Sequence, residues 1–216
     1  MLDLVLSQMK ALLGLGGPVV MLLLVVSVLT LAVVLYKLWQ LSVARVGSHT
    51  ALRSAVRAWD AGRRSDAREA LSLSQSYLVP IVSATFDGGE KERLQAMAEE
   101  RFAALERGFR FLDSVAQLAP LLGLFGTVLA MIQAFQSMQE AGAQVDPSLL
   151  AGGIWVALLT TAVGLAVAMP TAFILAWFEG RMNAERVAAD TFILTALSPT
   201  GSAESAPEPG MVPRHG

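Results

Sequence analysis

The chain has 216 residues with a formal net charge of −2; 54% of them are hydrophobic and 16% are charged. Soluble domains usually carry about a quarter charged residues, and a near-neutral chain offers no bulk attraction for a nucleic-acid partner. The absence of cysteine excludes disulfides and Cys-ligated metal sites, and two histidines are too few for a histidine-cluster metal site.

Three long windows contain no Asp, Glu, Lys or Arg. A helix needs about 20 apolar residues to cross a hydrocarbon core of about 30 Å, and each window is longer than that. A cleaved signal peptide is the alternative for the first window, but its apolar stretch is too long for a signal core and no A-x-A cleavage site follows it. The first window is uniformly bulky, which is typical of a lipid-facing helix. We predict transmembrane helices over residues 11–37, 113–139 and 148–178.

The basic residues between the windows predict the orientation of the chain. Most of the 16 Lys and Arg residues lie in residues 38–112, and none lies in the short link 140–147. Loops rich in Lys and Arg stay in the cytoplasm. We therefore expect residues 38–112 and the C-terminal segment to be cytoplasmic, and residues 1–10 and 140–147 to be periplasmic. Three spans satisfy this arrangement, whereas two or four do not.

The segments outside the windows have helical patterns. Apolar residues recur at near-helical spacing over 48–73, with an interruption at Gly62, and again over 90–111; Pro80 and a Gly-Gly turn separate the two. No strong break precedes the second span, so one continuous helix is predicted there. Residues 179–198 should continue the third span, and residues 199–216 should be disordered. The predicted fold is an all-α membrane protein with three transmembrane helices and long cytoplasmic helical extensions.

Small residues recur at spacings of three and four in the second and third spans. Small side chains let helix backbones approach closely in lipid, so packing is the favoured interpretation and pore lining the alternative. Two prolines in these spans each free a backbone carbonyl and more often mark kinks than hinges. The residues concerned are Gly123, Gly126, Thr127, Ala130, Gly153, Ala157, Thr161, Gly164, Ala168, Pro120 and Pro170.

No Asp, Glu, Lys, Arg or His lies in the interior of any predicted span. Ionisable groups inside a membrane mark proton relays and ion paths, because their burial is costly. The chain therefore has no titrating relay of its own. It is either a scaffold or a protein that encloses a path whose ionisable group belongs to another polypeptide.

Residues 105–178 resemble the ExbB/TolQ family, which is related to the flagellar stator protein MotA. The resemblance is carried by the sequences Leu105-Glu106-Arg107-Gly108, Ala119-Pro120-Leu121-Leu122-Gly123-Leu124-Phe125-Gly126-Thr127-Val128 and Ala157-Leu158-Leu159-Thr160-Thr161-Ala162-Val163-Gly164. It implies a homopentamer in the bilayer whose second and third spans line a central pore. That pore would hold the single transmembrane helix of an ExbD/TolR-like partner, whose Asp takes up and releases protons.

Within this resemblance Thr127 and Thr161 match pore-facing threonines, whose hydroxyls would hydrogen-bond the partner's carboxylate or a bridging water. Gly123, Gly126, Gly153, Ala157, Gly164 and the two prolines would pack the helices around the pore. Val156 stands where many relatives carry Glu. The outer part of the pore should therefore be less polar in this chain.

The resemblance implies an ExbB-like subunit of a motor driven by the proton-motive force, located in the bacterial inner membrane. Such a motor energises a TonB-like protein for transport across the outer membrane. A TolQ-like subunit, working with a TolA-like protein in envelope integrity, is the nearest alternative. A purely structural scaffold is another, and a MotA-like role is disfavoured because that architecture has four spans. No constellation of nucleophile, base and metal is visible, so neither enzymatic activity nor a cofactor is expected.

Overall fold

The computed structural model describes residues 2–141 and 147–201, with the side chains of residues 17–140 and 147–201. The described residues form helices joined by short turns. The helices are α1 (Leu2–Val43), α2 (Thr50–Asp60), α3 (Arg64–Ser72), α4 (Val79–Phe86), α5 (Lys91–Glu106), α6 (Phe109–Ala141) and α7 (Pro147–Leu197).

Three helical segments are long and apolar enough to cross a membrane: Gly17–Val43, Phe109–Glu140 and Pro147–Leu197. The chain is therefore an all-α, multi-pass membrane protein, which confirms the predicted fold class. Within α1 the backbone is non-helical at Gly17, with φ 65° and ψ −167°. The last of the three runs through residues 179–197 without interruption.

The prediction of one continuous helix leading into the second span is wrong. Helix α5 ends at Glu106 and α6 begins at Phe109. Between them Arg107 is non-helical, with φ −54° and ψ 121°, and Gly108 has φ 102°. A left-handed φ is accessible to glycine at little cost and is unfavourable for other residues. The single glycine therefore ends one helix and allows a second to begin.

Two further expectations for the loops need correction. Pro80 does not separate helices but lies in the first turn of α4, where a missing N–H costs nothing. Order also continues past Pro199, because the Thr200 N–H and hydroxyl both donate to Asp60 Oδ1, at 2.7 and 2.9 Å. The predictions for residues 202–216 and 142–146 fall outside the described residues.

The chain divides into two compact units, which we call the membrane unit (Met1–Lys37 and Gly108–Glu179) and the extramembrane unit (Leu38–Arg107 and Gly180–Gly216). In the membrane unit one face of α1 packs against α6 and α7, while its other face carries exposed apolar residues such as Val28. The first span is thus lipid-facing on one side only. The packed cluster consists of Val19, Leu23, Val115, Ala119 and Ala168.

An aromatic stack anchors the extramembrane unit. Trp59 of α2 lies flat against Phe86 of α4, with ring centroids 4.0 Å apart. Its indole N–H donates to the Ala196 carbonyl of α7 at 3.0 Å, and the Arg64 guanidinium covers its other face at 3.6 Å. Stacking, a hydrogen bond and a cation–π contact therefore hold α4, the end of α7 and α3, respectively, against Trp59 of α2.

A buried polar network lies in the same unit. Glu185 of α7 is 3% exposed; its Oε2 lies 2.7 Å from His49 Nε2 and accepts the Tyr77 hydroxyl at 2.7 Å. His49 Nδ1 lies 3.0 Å from Ser76 Oγ, which accepts the Leu78 N–H. A carboxylate only accepts hydrogen bonds. A neutral His49 therefore carries its proton on Nε2 and accepts from Ser76 at Nδ1.

This network changes the acidity of its carboxyl group. Burial alone would raise the pKa of Glu185, but hydrogen bonds from His49 and Tyr77, together with the positive charge of Arg181, hold the pKa below its ordinary value. The charged carboxylate is thus the stable form inside this unit. Because two donors share it, it ties the start of α2 and the loop before α4 to α7.

Two arginines of α7 add further ties. Arg181 donates to the Val46 carbonyl at 2.7 Å, and its guanidinium occupies the space that a side chain at Gly47 would need. Arg186 makes a bidentate pair with Glu106 of α5, at 2.7 and 2.9 Å, and a longer contact with Glu99. The contacts of Arg186 fix α5 along one side of α7, and those of Arg181 hold the turn after α1.

We expect Glu185→Ala to destabilise the protein by about 3 kcal/mol, because it leaves two buried donors without their acceptor. Denaturant titration in detergent, followed by tryptophan fluorescence, measures the change. A depressed pKa contributes stability above the ordinary value of 4.5, and the contribution disappears as the pH falls through the lowered pKa. The difference in free energy of unfolding between the unaltered protein and Glu185→Ala should stay constant from pH 7 to pH 5 and become smaller below pH 5. Exposed Glu69→Ala is the control; an equal loss there contradicts the assignment.

We expect Gly108→Ala and Gly180→Ala to act in opposite directions. An added Cβ at Gly108 would be strained by its φ of 102° and would lie 3.3 Å from Lys37 Cε, so a loss of about 1–2 kcal/mol is expected. Gly180 is helical with open space around it, and alanine there should stabilise by about 0.5–1 kcal/mol. Thermal unfolding of both variants checks this. A neutral Gly108→Ala would refute the left-handed joint.

Candidate functional site

The backbones of α6 and α7 touch at a pair of glycines in the membrane unit. A Cβ on Gly164 would lie 2.6 Å from the Ala119 carbonyl oxygen and 3.1 Å from the Gly123 Cα. A Cβ on Gly123 would lie 3.0 Å from the Thr160 carbonyl oxygen. No side chain fits at either position without separating the helices. The two glycines therefore set the distance between the second and third spans.

The same close packing continues along both helices. A Cβ on Gly126 would lie 2.8 Å from the Thr160 Cβ, and one on Gly153 would overlap the Ala134 methyl group. Ala157, which lies between Gly153 and Thr160 along α7, is also buried. In this structure the predicted small residues thus form a contact between two helices of one chain. Gly152 differs, since nothing lies within 4 Å of its added Cβ.

The two prolines lie inside helices that continue past them. Pro120 is within α6 and Pro170 is within α7. Thr171, next to Pro170, is buried and donates its hydroxyl to the Val167 carbonyl at 2.7 Å. Both prolines are compatible with a spanning helix here, and neither ends one.

Adjacent threonines of α7 have different surroundings. Thr160 is 1% exposed and donates to the Ala157 carbonyl at 2.8 Å, over Gly126. Thr161 is only half-buried; among the described residues its hydroxyl has no hydrogen-bond partner. Thr127 of α6 is also half-buried and donates to the Leu124 carbonyl at 2.7 Å.

Thr160 is the member of the stripe that sequence reasoning missed. Glycine and alanine at positions 153, 157 and 164 leave position 160 on the same helix face, three residues after Ala157 and four before Gly164. The prediction placed Thr161 in this stripe instead. The structure buries Thr160 there and leaves Thr161 toward the surface. The regular spacing of positions 153, 157, 160 and 164 was the sequence signal that identifies Thr160.

Val156 lines a cleft of about 180 Å³ between α6 and α7. Two polar side chains of α6, Gln133 and Ser137, share the lining with Gly152 and Gly153. The position at which the resemblance leads us to expect Glu is therefore apolar, but its surroundings retain an amide and a hydroxyl. Both groups can donate and accept hydrogen bonds.

Much of the exposed surface of α6 and α7 in this unit is apolar. Leu124, Phe125 and Val128 of α6, and Trp155 and Leu158 of α7, are each at least half exposed. Exposed apolar surface on this scale is suited to lipid or to other membrane helices. From Ser114 to Gln139 and from Pro147 to Phe178 the sequence has no ionisable side chain. The site offers hydroxyls and close helix packing, and no proton carrier.

The chain is similar in sequence to known proteins of the ExbB and TolQ kinds. An ExbB-like biopolymer transport protein of Synechocystis is 40% identical over 78 residues, which cover 35% of this chain and 31% of the relative. An ExbB homolog of Methanothermobacter thermautotrophicus is 28% identical over 177 residues, covering 79% and 62%. A Tol-Pal system protein TolQ of Haemophilus influenzae is 33% identical over 96 residues, covering 44% and 42%. The chain thus spans less than two thirds of each relative.

A family model, that of the MotA/TolQ/ExbB proton channel family, matches residues 67–190, which is more than half of the chain. The matched residues include α5, all of α6 and most of α7. The close contact between the two spans lies inside this region. The family match and the three apolar helices together show that this chain belongs to the MotA/TolQ/ExbB proton channel family.

Proposed function

We propose that this chain is the pore-forming subunit of an inner-membrane motor driven by the proton-motive force. One observation carries the proposal: a member of a proton channel family has two closely packed spans without an ionisable side chain. Protons cannot cross a hydrocarbon core without a group or water that carries them. The carrier is therefore supplied by a second polypeptide, which the spans enclose.

The proposed assembly is a ring of five copies around the single transmembrane helix of an ExbD/TolR-like partner with one membrane-embedded Asp. Thr161 supports this arrangement, because its hydroxyl is not used within the described part of the chain. A hydroxyl donates to a carboxylate and accepts from a protonated carboxyl group. Thr161 would thereby bind the partner's Asp in both protonation states. Thr127, whose hydroxyl proton is donated to the Leu124 carbonyl, would accept from the protonated Asp.

The proposed biological role is of the ExbB kind, in which the motor drives a TonB-like protein for transport across an outer membrane. Relatives named after ExbB and after TolQ both match the chain. The Gly-Gly-Ile-Trp sequence at 152–155 favours ExbB. A TolQ-like subunit acting on a TolA-like protein, or a non-conducting scaffold, is the alternative. We further propose that the N-terminus and the link 140–147 are periplasmic and the C-terminus cytoplasmic.

Reconstitution in vesicles tests the proposal directly. The chain alone should not carry protons down an imposed pH gradient, whereas the chain with its copurified single-span partner should. Asp→Asn in the span of the partner should abolish the flux. Gated, stoichiometric proton transfer by the chain alone would overturn the proposal, and so would the absence of any single-span protein on copurification.

Thr161→Val and Thr160→Val form a matched pair, since both remove one hydroxyl from α7 and keep the shape of the side chain. Thr161→Val should lower proton flux of the assembled complex about tenfold, because the group that meets the partner's carboxyl is lost. Thr160→Val should leave flux within about twofold, since its hydroxyl only binds its own helix. The ring mass by native mass spectrometry controls for assembly. Equal flux in both variants contradicts a role for Thr161.

A further inference from the structure

A groove of about 420 Å³ runs between α2 and the last turns of α7 in the extramembrane unit. Val56, Ala188, Thr191 and Phe192 contribute to its lining. Two exposed arginines, Arg53 and Arg57, lie one helical turn apart along its α2 side, and no acidic side chain lines it. The groove is therefore a partly apolar channel with a positively charged edge.

Helix α5 lies on the other flank of α7. Arg186 pairs with Glu99 and Glu106, and Gln95 contacts Asp190 at 3.4 Å. Successive helix residues are about 100° apart, so positions 186 and 190 point away from groove positions such as 184 and 191. The groove and α5 are thus on opposite sides of one helix.

The outward face of α5 complements the groove. Glu92, Ala96, Glu100 and Ala103 are all exposed and recur every three or four residues, so they share one side of the helix. The alanines make this side narrow, and the two carboxylates give it negative charge. A helix with a small apolar strip between acids fits a partly apolar channel edged by arginines.

We propose that the groove receives α5 of the next copy of this chain, with Arg53 pairing with Glu100 and Arg57 with Glu92 of that copy. The inference rests on the ring of the proposed function. A groove and a complementary face on opposite flanks of one helix form a head-to-tail contact, and head-to-tail contacts generate a ring when the rotation between copies closes.

The positions of the four charged side chains along the axis of α7 support this pairing. His49 meets Glu185 and Trp59 meets Ala196, so α2 runs alongside α7 and Arg53 is level with about residue 189. The contacts of Arg186 and Asp190 with α5 place Glu100 near the same level and Glu92 near that of Arg57. The mismatch is about two residues, or ~3 Å. Rotation about a ring axis parallel to the helices leaves the position of a residue along that axis unchanged. Each arginine of one copy therefore lies level with a glutamate of the next copy.

Charge reversal tests the pairing. Arg53→Glu and Glu100→Arg should each weaken ring formation about tenfold near 0.1 M salt, because like charges then oppose one another. The double variant should recover to within about threefold, because the reversed pair is again complementary. Native mass spectrometry of the purified full chain measures the fraction of closed rings. Failure of the double variant to recover overturns the pairing.

Because the chain has no cysteine, introduced thiols give a second measurement. A chain with Arg53→Cys is coexpressed with one carrying Glu100→Cys and treated with a short bis-maleimide linker. A cross-linked dimer is expected, and Glu69→Cys in place of Glu100→Cys should give at least tenfold less. Intact rings with no more cross-linking than this control would overturn the inference alone. An unaltered chain that forms no ring would overturn the proposed assembly itself.

Discussion

Gly123 and Gly164 bring the backbones of α6 and α7 into direct contact, and the rest of the membrane unit is arranged around that contact. In lipid, apolar attraction between helices is weak, so close van der Waals packing must hold them together. Ala157, Thr160 and Ala134 extend the same seam, while the bulky residues of both helices remain on the outside. Small residues inside and large residues outside give two spans one fixed distance and a smooth apolar exterior.

Outside the predicted spans, buried hydrogen bonds and ion pairs hold the chain together. The extramembrane unit uses a buried carboxylate, Glu185, with His49 and Tyr77 as donors, and the bidentate pair of Arg186 with Glu106. Charged contacts of this kind fix direction and register more than they add stability. In water such specificity matters, because an amphipathic bundle held only by apolar contacts tolerates alternative packings.

The fold class was predictable because charge-free windows and helical periodicity are properties of the sequence itself. The joint at Gly108 was not, since one glycine in a helical pattern is as compatible with a continuous helix as with a break until tertiary packing decides. Thr160 was within reach, because its spacing from Gly153, Ala157 and Gly164 is regular. The network of Ser76, His49 and Glu185 was out of reach, since its members are separated by up to 136 residues and only the fold brings them together.

Thr160 and Thr161 also limit how α7 can move. They are about 100° apart around the helix axis, with one side chain filling the space over Gly126 and the other reaching the surface. Spinning α7 by one residue would drive Thr161 into that space and pull Gly164 away from the Ala119 carbonyl. Axial rotation of this helix alone is therefore blocked by its own seam. Any rotation about that axis therefore has to carry α6 and α7 together, as a single two-helix unit.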